Sequence, residues 1–253
     1  MFLRLRPKPG GLSRGEPIVS GVSAGLRRSG EGRTGAGRIQ EVQLSSLQVA
    51  IRKQARPAEH TVIIGLVSDT HGFFDPRLAE ILAGAELILH AGDVGSQEVI
   101  DELGRIAPVH AIRGNVDSPE AGWPPSLILS PGGLVTHVLH ILPAAQSRLE
   151  AWAQSERNSC ALPPAAERLR SRFESSVEMV VFGHSHEPCL VSMGGVLWVN
   201  PGSAGRKRFR LPRTCGLIQL SSGQREAWIV PLEPFDGSLP PRIRFRQQVS
   251  PPR

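Results

Sequence analysis

The chain is poor in cysteine. The three it has, Cys160, Cys189 and Cys215, form no C-x-x-C pair, so they read as reduced thiols in a cytosolic protein. No apolar run approaches the ~20 residues of a membrane-spanning helix. Arg4, Arg6 and Lys8 have no long apolar stretch behind them, so a secretory signal is not expected. The expected location is cytoplasmic, with no membrane partner. The middle of the chain also lacks excess positive charge, although the formal charge of the 253 residues is +6. Residues 1–60 hold 11 Lys and Arg against 4 Asp and Glu, net +7. Residues 61–233 hold 14 against 18, net −4, and residues 234–253 hold 4 against 1, net +3. The basicity belongs to the ends, so a nucleic-acid-binding core is disfavoured.

Three regions follow. Residues 1–58, rich in Gly, Arg and Ser, read as a disordered basic extension, with one short helix predicted across Glu41–Arg52. A role in touching RNA is the alternative there. Residues 59–233 form the domain, and 40% hydrophobic content is enough for a core. Residues 234–253 form a Pro- and Arg-rich tail, expected to be loosely ordered.

Within the domain, strands are predicted at 61–67, 87–90 and 109–112, with helices from Pro76 to Ala83 and, capped by Ser96, from Gln97 to Arg105. This βαβαβ order argues for a parallel sheet. Strands at 127–129 and 134–141 flank Pro131-Gly132-Gly133, a hairpin signal. Helices are predicted over Ala144–Arg157 and Pro164–Ser175, then a strand from Glu178 to Phe182. A hairpin turns at Gly194-Gly195, and strands near 215–220 and 226–231 complete the domain.

The chain is organised around Leu66-Val67-Ser68-Asp69-Thr70-His71-Gly72. A buried strand runs straight into a carboxylate and an imidazole two residues apart. In extended backbone their side chains would point the same way, toward one ion. Four further polar clusters sit at predicted strand ends: Gly92-Asp93, Gly114-Asn115-Val116-Asp117, His140, and Gly183-His184-Ser185-His186. In open α/β sheets, ligands bind outside those ends. Carboxylate, imidazole and amide donors suit manganese, iron or zinc. Seven donors exceed one tetrahedral site but suit two ions roughly 3.5–4 Å apart, bridged by a carboxylate. Asp93, on the middle strand, is the natural bridge.

These blocks, in this order, resemble the calcineurin-like metallophosphoesterases, and most closely the small YfcE-type phosphodiesterases with their compact Gly-Asn-x-Asp block. The resemblance covers about 61–232. It implies an α/β fold, a four-layer αββα sandwich, with Asp69, His71, Asp93 and His186 on one ion and Asp93, Asn115, His140 and His184 on the other. It implies two divalent ions, manganese first, with iron, zinc, nickel or cobalt as alternatives. The implied activity is a metal-dependent phosphodiesterase acting on a small phosphodiester-type substrate by in-line attack of a metal-bridging hydroxide. Asn200-Pro201-Gly202-Ser203 resembles the family's turn beside the site and is expected to supply hydrogen bonds rather than ligands.

Two departures bear on function. The family usually has His-Gly at the fourth cluster, whereas Ile141 follows His140 here; Ile141 is expected to narrow or reshape the substrate entrance. Counting from Gly132-Gly133 favours His140 as the ligand, with His137, on the opposite strand face, as the competitor. Many larger relatives carry a histidine after the asparagine, where it protonates the leaving group; here that residue is Val116. Asp117 is read either as orienting Asn115 or His71 or as a loop-capping aspartate. His90 and His110 read as structural, and Arg113 as facing solvent. Arg206, Lys207, Arg208, Arg210 and Arg213 form either a solvated loop or an electropositive rim. Trp198 reads as core. A different class of function, a protein-interaction scaffold like the retromer subunit of the same fold, is disfavoured because every ligand type is present.

Overall fold

The computed structural model describes residues 61–208, 210–222, 224–234 and 237–245. The predicted basic extension over 1–58 and the helix at Glu41–Arg52 lie outside the described residues. The chain runs β1 (Val62–Val67), α1 (Arg77–Ile81), β2 (Leu87–His90), α2 (Gln97–Gly104) and β3 (Val109–Ala111). Next come β4 (Ser126–Leu129), β5 (Thr136–Leu139), α3 (Ser147–Ser159), α4 (Pro164–Arg170), β6 (Met179–Val181), β7 (Cys189–Met193) and β8 (Val196–Asn200). The last strands are β9 (Thr214–Ser221), β10 (Gln224–Pro231) and β11 (Ile243–Phe245).

Two sheets result, ordered β11-β10-β9-β1-β2-β3 and β4-β5-β6-β8-β7. β1, β2 and β3 are parallel, as the βαβαβ reading requires, and β9 joins the other side of β1 antiparallel. In the second sheet β5, β6 and β8 run parallel. Three apolar layers separate four layers of backbone. Ile64, Leu66, Leu89, Val138, Val181 and Ile218 fill the space between the sheets. Leu78, Leu82, Val99 and Leu103 bury one helix pair on the first sheet, and Leu149, Ala153, Ala166 and Leu169 bury the other pair on the second. The αββα sandwich expected from the sequence is the observed fold. Each side chain such as Leu66 or Leu89, fully removed from water, contributes about 1.5–3 kcal/mol.

Several element ends differ from the reading, for local reasons. Ser96 takes the N-cap position of α2 but its side chain makes no capping hydrogen bond. Helix α3 begins at Ser147 rather than Ala144, because Gln146 is engaged elsewhere: its amide reaches Glu187 O, Ser185 Oγ and Asn200 Nδ2. Helix α4 stops at Arg170 instead of Ser175. The Arg170 guanidinium donates to the carbonyls of Phe173, Glu174 and Ser175, which satisfies them outside the helix. The stretch expected to be a loose tail supplies β11, paired antiparallel to β10, with Arg244 bonded to Glu226 at 2.6 Å. Pro240 and Pro241 lie before it, and an edge strand tolerates such neighbours.

Candidate metal centre

All five polar clusters follow the ends of strands β1, β2, β3, β5 and β6, which brings them to one rim of the sandwich. The backbone there is not extended. Among the described residues six non-glycine positions have φ in the left-handed region, and five of them are Asp69 (54°), His71 (48°), Asp93 (53°), His184 (71°) and His186 (60°). The expected convergence of Asp69 and His71 along extended chain is therefore corrected: each turns inward through a left-handed residue. Such conformations persist only when neighbours over-determine them, and they cluster at functional sites. Here the neighbours are hydrogen bonds between the loops. Asp69 N–H donates to Gly92 O (3.0 Å), His71 N–H to Asp93 O (2.9 Å) and Gly183 N–H to His140 O (3.0 Å). Gly114 is required for space, since a Cβ there would lie 2.0 Å from Asp93 Oδ1.

The side chains meet as two adjoining groups. His71 Nε2 and His186 Nε2 are 3.2 Å apart, and His186 Nε2 is 3.4 Å from Asp69 Oδ1. Asp93 Oδ2 lies 3.9 Å from His71 Nε2, while Asp93 Oδ1 lies 3.3 Å from His140 Nε2. Asn115 Oδ1 is 3.1 Å from His140 Nε2 and 2.8 Å from His184 Nδ1. All seven residues nominated from the sequence are thus drawn together. The donor set fits a metal: two imidazole nitrogens facing each other at 3.2 Å match the edge of a tetrahedron with bonds of about 2.0–2.1 Å. His140 Nδ1 donates to Ala91 O at 2.7 Å, which leaves the Nε2 lone pair toward Asp93 and Asn115. His137, the competitor, packs edge-on against Phe173 in the core under α3 and α4, away from this cluster.

Electrostatics follow from burial. Asp69 is fully buried, and loss of solvent pushes its carboxyl up to about 6, although the Ser68 hydroxyl at 2.6 Å works the other way. Burial lowers His186 to about 4 and lowers His71, and the Arg208 charge depresses both further. Burial alone would raise Asp93, but the hydrogen bonds it accepts from the His140 ring and Val116 N–H hold it at about 2. For His140 burial acts downward, yet Asp93 and the Ala91 carbonyl carry it above its ordinary value. A buried carboxylate that resists ionisation beside imidazoles that resist protonation is a site suited to an external cation.

The surroundings confirm some readings and alter others. Asn200 donates to Gly183 O and accepts from Gly202 N–H, and Ser203 Oγ donates to Asp69 O, so the Asn-Pro-Gly-Ser turn supports the site without entering it. Asp117 makes no hydrogen bond to Asn115 or His71 side chains. Its carboxylate accepts from Val94, Gly95 and Gly114 N–H, so of its two readings the hydrogen bonds match the loop-capping one, a clamp on the loops bearing Asp93 and Asn115. His90 is buried against Thr70 Oγ1 at 2.9 Å, and burial lowers it to about 3, a structural role. Trp198 is fully buried in the core. The basic run is split: Arg213 is buried and paired with Asp75, Lys207 pairs with Glu233, and Arg206 lies 4.6 Å over the Phe73 ring. Sequence reading missed Ser68, Asp75 and Gln146. A short polar residue before Asp69 was the signal for the first; the other two left none.

The fold and rim place a cluster of metal-type donors at the strand ends of an αββα sandwich. The chain matches the Calcineurin-like phosphoesterase superfamily domain over residues 62–223, and it belongs to that family. A probable metallophosphoesterase of Methanocaldococcus jannaschii is 29% identical over 182 residues, 68% of this chain and 83% of that protein. A probable metallophosphoesterase of Methanothermobacter thermautotrophicus is 27% identical over 151 residues, 56% of this chain and 77% of that protein. Among solved structures, Vacuolar Protein Sorting 29 of Cryptosporidium parvum matches with TM-score 0.55 at 20% identity, covering 74% of this chain and 99% of that one. Vps29 of Entamoeba histolytica complexed with zinc gives 0.52 at 20% identity, covering 73% and 100%. At such identity these two likenesses are of fold. Among the described residues, no helix is long and apolar enough to cross a membrane.

Proposed function

We propose that this chain is a phosphodiesterase working with two divalent ions, manganese first, held by Asp69, His71, Asp93, Asn115, His140, His184 and His186. The observation that carries the reading is the Asp93 carboxylate, whose two oxygens face different halves of the donor set, one toward His140 and one toward His71. Bound there, the ions would bring a water's pKa toward neutrality and offset charge on phosphoryl oxygens. The chain's residues prepare this. The Ala91 carbonyl fixes the His140 tautomer, Ser68 and the His184 N–H hold the Asp69 carboxylate, and Asp117 locks the loops. Arg208, close enough to depress His71 and His186, gives the rim a positive charge that draws a phosphate anion.

The preference for diesters with acidic leaving groups is supported by what stands beside Asn115. Val116 is 58% exposed and has no proton to give, so about 10²–10⁴-fold of general-acid assistance is forgone. Ile141, 50% exposed after His140, adds a second apolar neighbour. Aryl esters then react better than alkyl esters.

The test is turnover of bis-p-nitrophenyl phosphate and p-nitrophenyl phosphate by chelator-treated protein with Mn²⁺ restored. The expected result is faster diester hydrolysis, lost in Asp93→Asn and His140→Ala and retained in His137→Ala. Faster monoester hydrolysis would replace the diesterase reading. Folded protein without turnover on any divalent metal would favour a binding scaffold built on this fold.

A further inference from the structure

Away from the metal centre, the helices over the second sheet flank a hollow of about 340 Å³ that is open to solvent. Its walls include Pro143 before α3, Arg148 and Trp152 on α3, and Arg168, Leu169 and Arg172 on α4 and the turn after it. Three arginines thus surround one hollow. All three are exposed, and among the described residues none has a carboxylate in ion-pair reach and no carboxylate lines the cavity. This runs against the local trend, because residues 61–233 carry a net charge of −4. Like charges gathered round a concavity repel one another, and a multiply charged anion relieves that repulsion. Guanidinium forks match phosphate oxygens in pairs.

The remaining wall is apolar. Trp152, half-buried against the core beneath α3 and α4, lines the hollow with Pro143 and Leu169, and an indole is a side chain on which a planar ring can stack. The volume falls in the range of small-molecule sites. We propose that this cavity is a second, non-catalytic site for a nucleotide-class ligand, its ring against Trp152 and its diphosphate or triphosphate among Arg148, Arg168 and Arg172. The site has a physical link to the metal centre. The loop containing Pro143 joins His140 to Gln146, and the Gln146 amide is tied to Glu187 and Ser185 on either side of His186.

The experiment is a tryptophan-fluorescence titration of the full chain, metal ions chelated, with ADP, adenosine and inorganic pyrophosphate. ADP is expected to quench, and adenosine and pyrophosphate to bind at least about tenfold more weakly, because each offers half of the recognition. Arg168→Gln with Arg172→Gln should weaken ADP at least about tenfold, and Trp152→Phe should remove the quench. These arginines are exposed and have no ion-pair partner among the described residues, so an unchanged urea midpoint shows that the double variant remains folded. Equal ADP affinity in the double variant overturns the proposal. So does pyrophosphate binding as tightly as ADP, which would reflect general positive charge, or the absence of any quench at millimolar ADP.

Discussion

Asp117→Ala separates a clamp from a ligand. In the structure the carboxylate accepts three backbone N–H groups: Val94 at 3.0 Å, Gly95 at 2.8 Å and Gly114 at 2.8 Å. The bonds to Val94 and Gly114 are partly buried, and the one to Gly95 is exposed. An N–H orphaned away from water costs about 1–3 kcal/mol, and Gly95 can turn to solvent instead. Two partly buried orphans therefore predict a loss of about 2–5 kcal/mol, a large share of the 5–15 kcal/mol typical of a domain. Val94 and Gly114 N–H share Oδ2, so Asp117→Asn with its amide oxygen at that position keeps both partly buried bonds, gives up only the exposed one to Gly95, and should lose well under half as much. The assay is urea unfolding of metal-free protein, followed by circular dichroism, so that metal affinity does not enter. An Asp117→Ala midpoint equal to wild type would refute the clamp.

Three further outcomes follow from the same geometry. Burial acts to raise Asp75, but its hydrogen bonds with Arg77 and Arg213 hold it at about 2 against an ordinary 3.8, so the stability it contributes is complete above pH 3.8 and drains away toward pH 2. Asp75→Asn should remove that acid dependence in Tm-versus-pH scans and lower the Tm at pH 7, because buried Arg213 then keeps only the more distant Glu233 carboxylate and the Gly205 and Ala204 carbonyls. Asp69 has the opposite sign: the folded state keeps its proton up to about pH 6 while the unfolded chain has lost it, so metal-free stability falls as pH rises from 3.8 to 6. Asp69→Asn should accordingly raise the Tm of metal-free protein at pH 7.5 while abolishing metal binding measured by calorimetry; a lower Tm would contradict the burial argument. Val116→His, at an exposed position beside Asn115, should raise alkyl-diester turnover by about tenfold or more and flatten the dependence on leaving-group pKa. An unchanged dependence would show that the missing proton donor is not what selects aryl esters.

Much of this site was legible because its donors follow apolar runs. Val62 to Val67, Leu87 to Leu89 and Met179 to Val181 announce buried strands, and Asp69, Asp93 and His184 stand where those strands end. What was not legible depends on torsion and on distance along the chain. Asp and His enter the left-handed region more readily than most residues, but nothing in the sequence says that Asp69, His71 and Asp93 do so; loop-to-loop hydrogen bonds impose it. The pairing of Asp75 with Arg213 spans 138 residues, so Arg213 looked like one more member of a basic run. Gln146 looked like helix interior until the loop carrying His184 and His186 folded onto it. Ile243 to Phe245 is too short, and too close to prolines, to read as a strand without the β10 edge beside it.

The central claim is that Asp93 joins two ion sites in one centre. It is tested most directly by counting metal in the full chain: equilibrate chelator-treated protein with excess Mn²⁺, remove unbound ion, and determine metal per chain by elemental mass spectrometry for wild type, Asp93→Asn and His140→Ala. The account predicts two ions in wild type, fewer than one in Asp93→Asn because both sites share that carboxylate, and one in His140→Ala because the group of Asp69, His71 and His186 is left whole. A single ion in wild type, or two ions surviving Asp93→Asn, would contradict it.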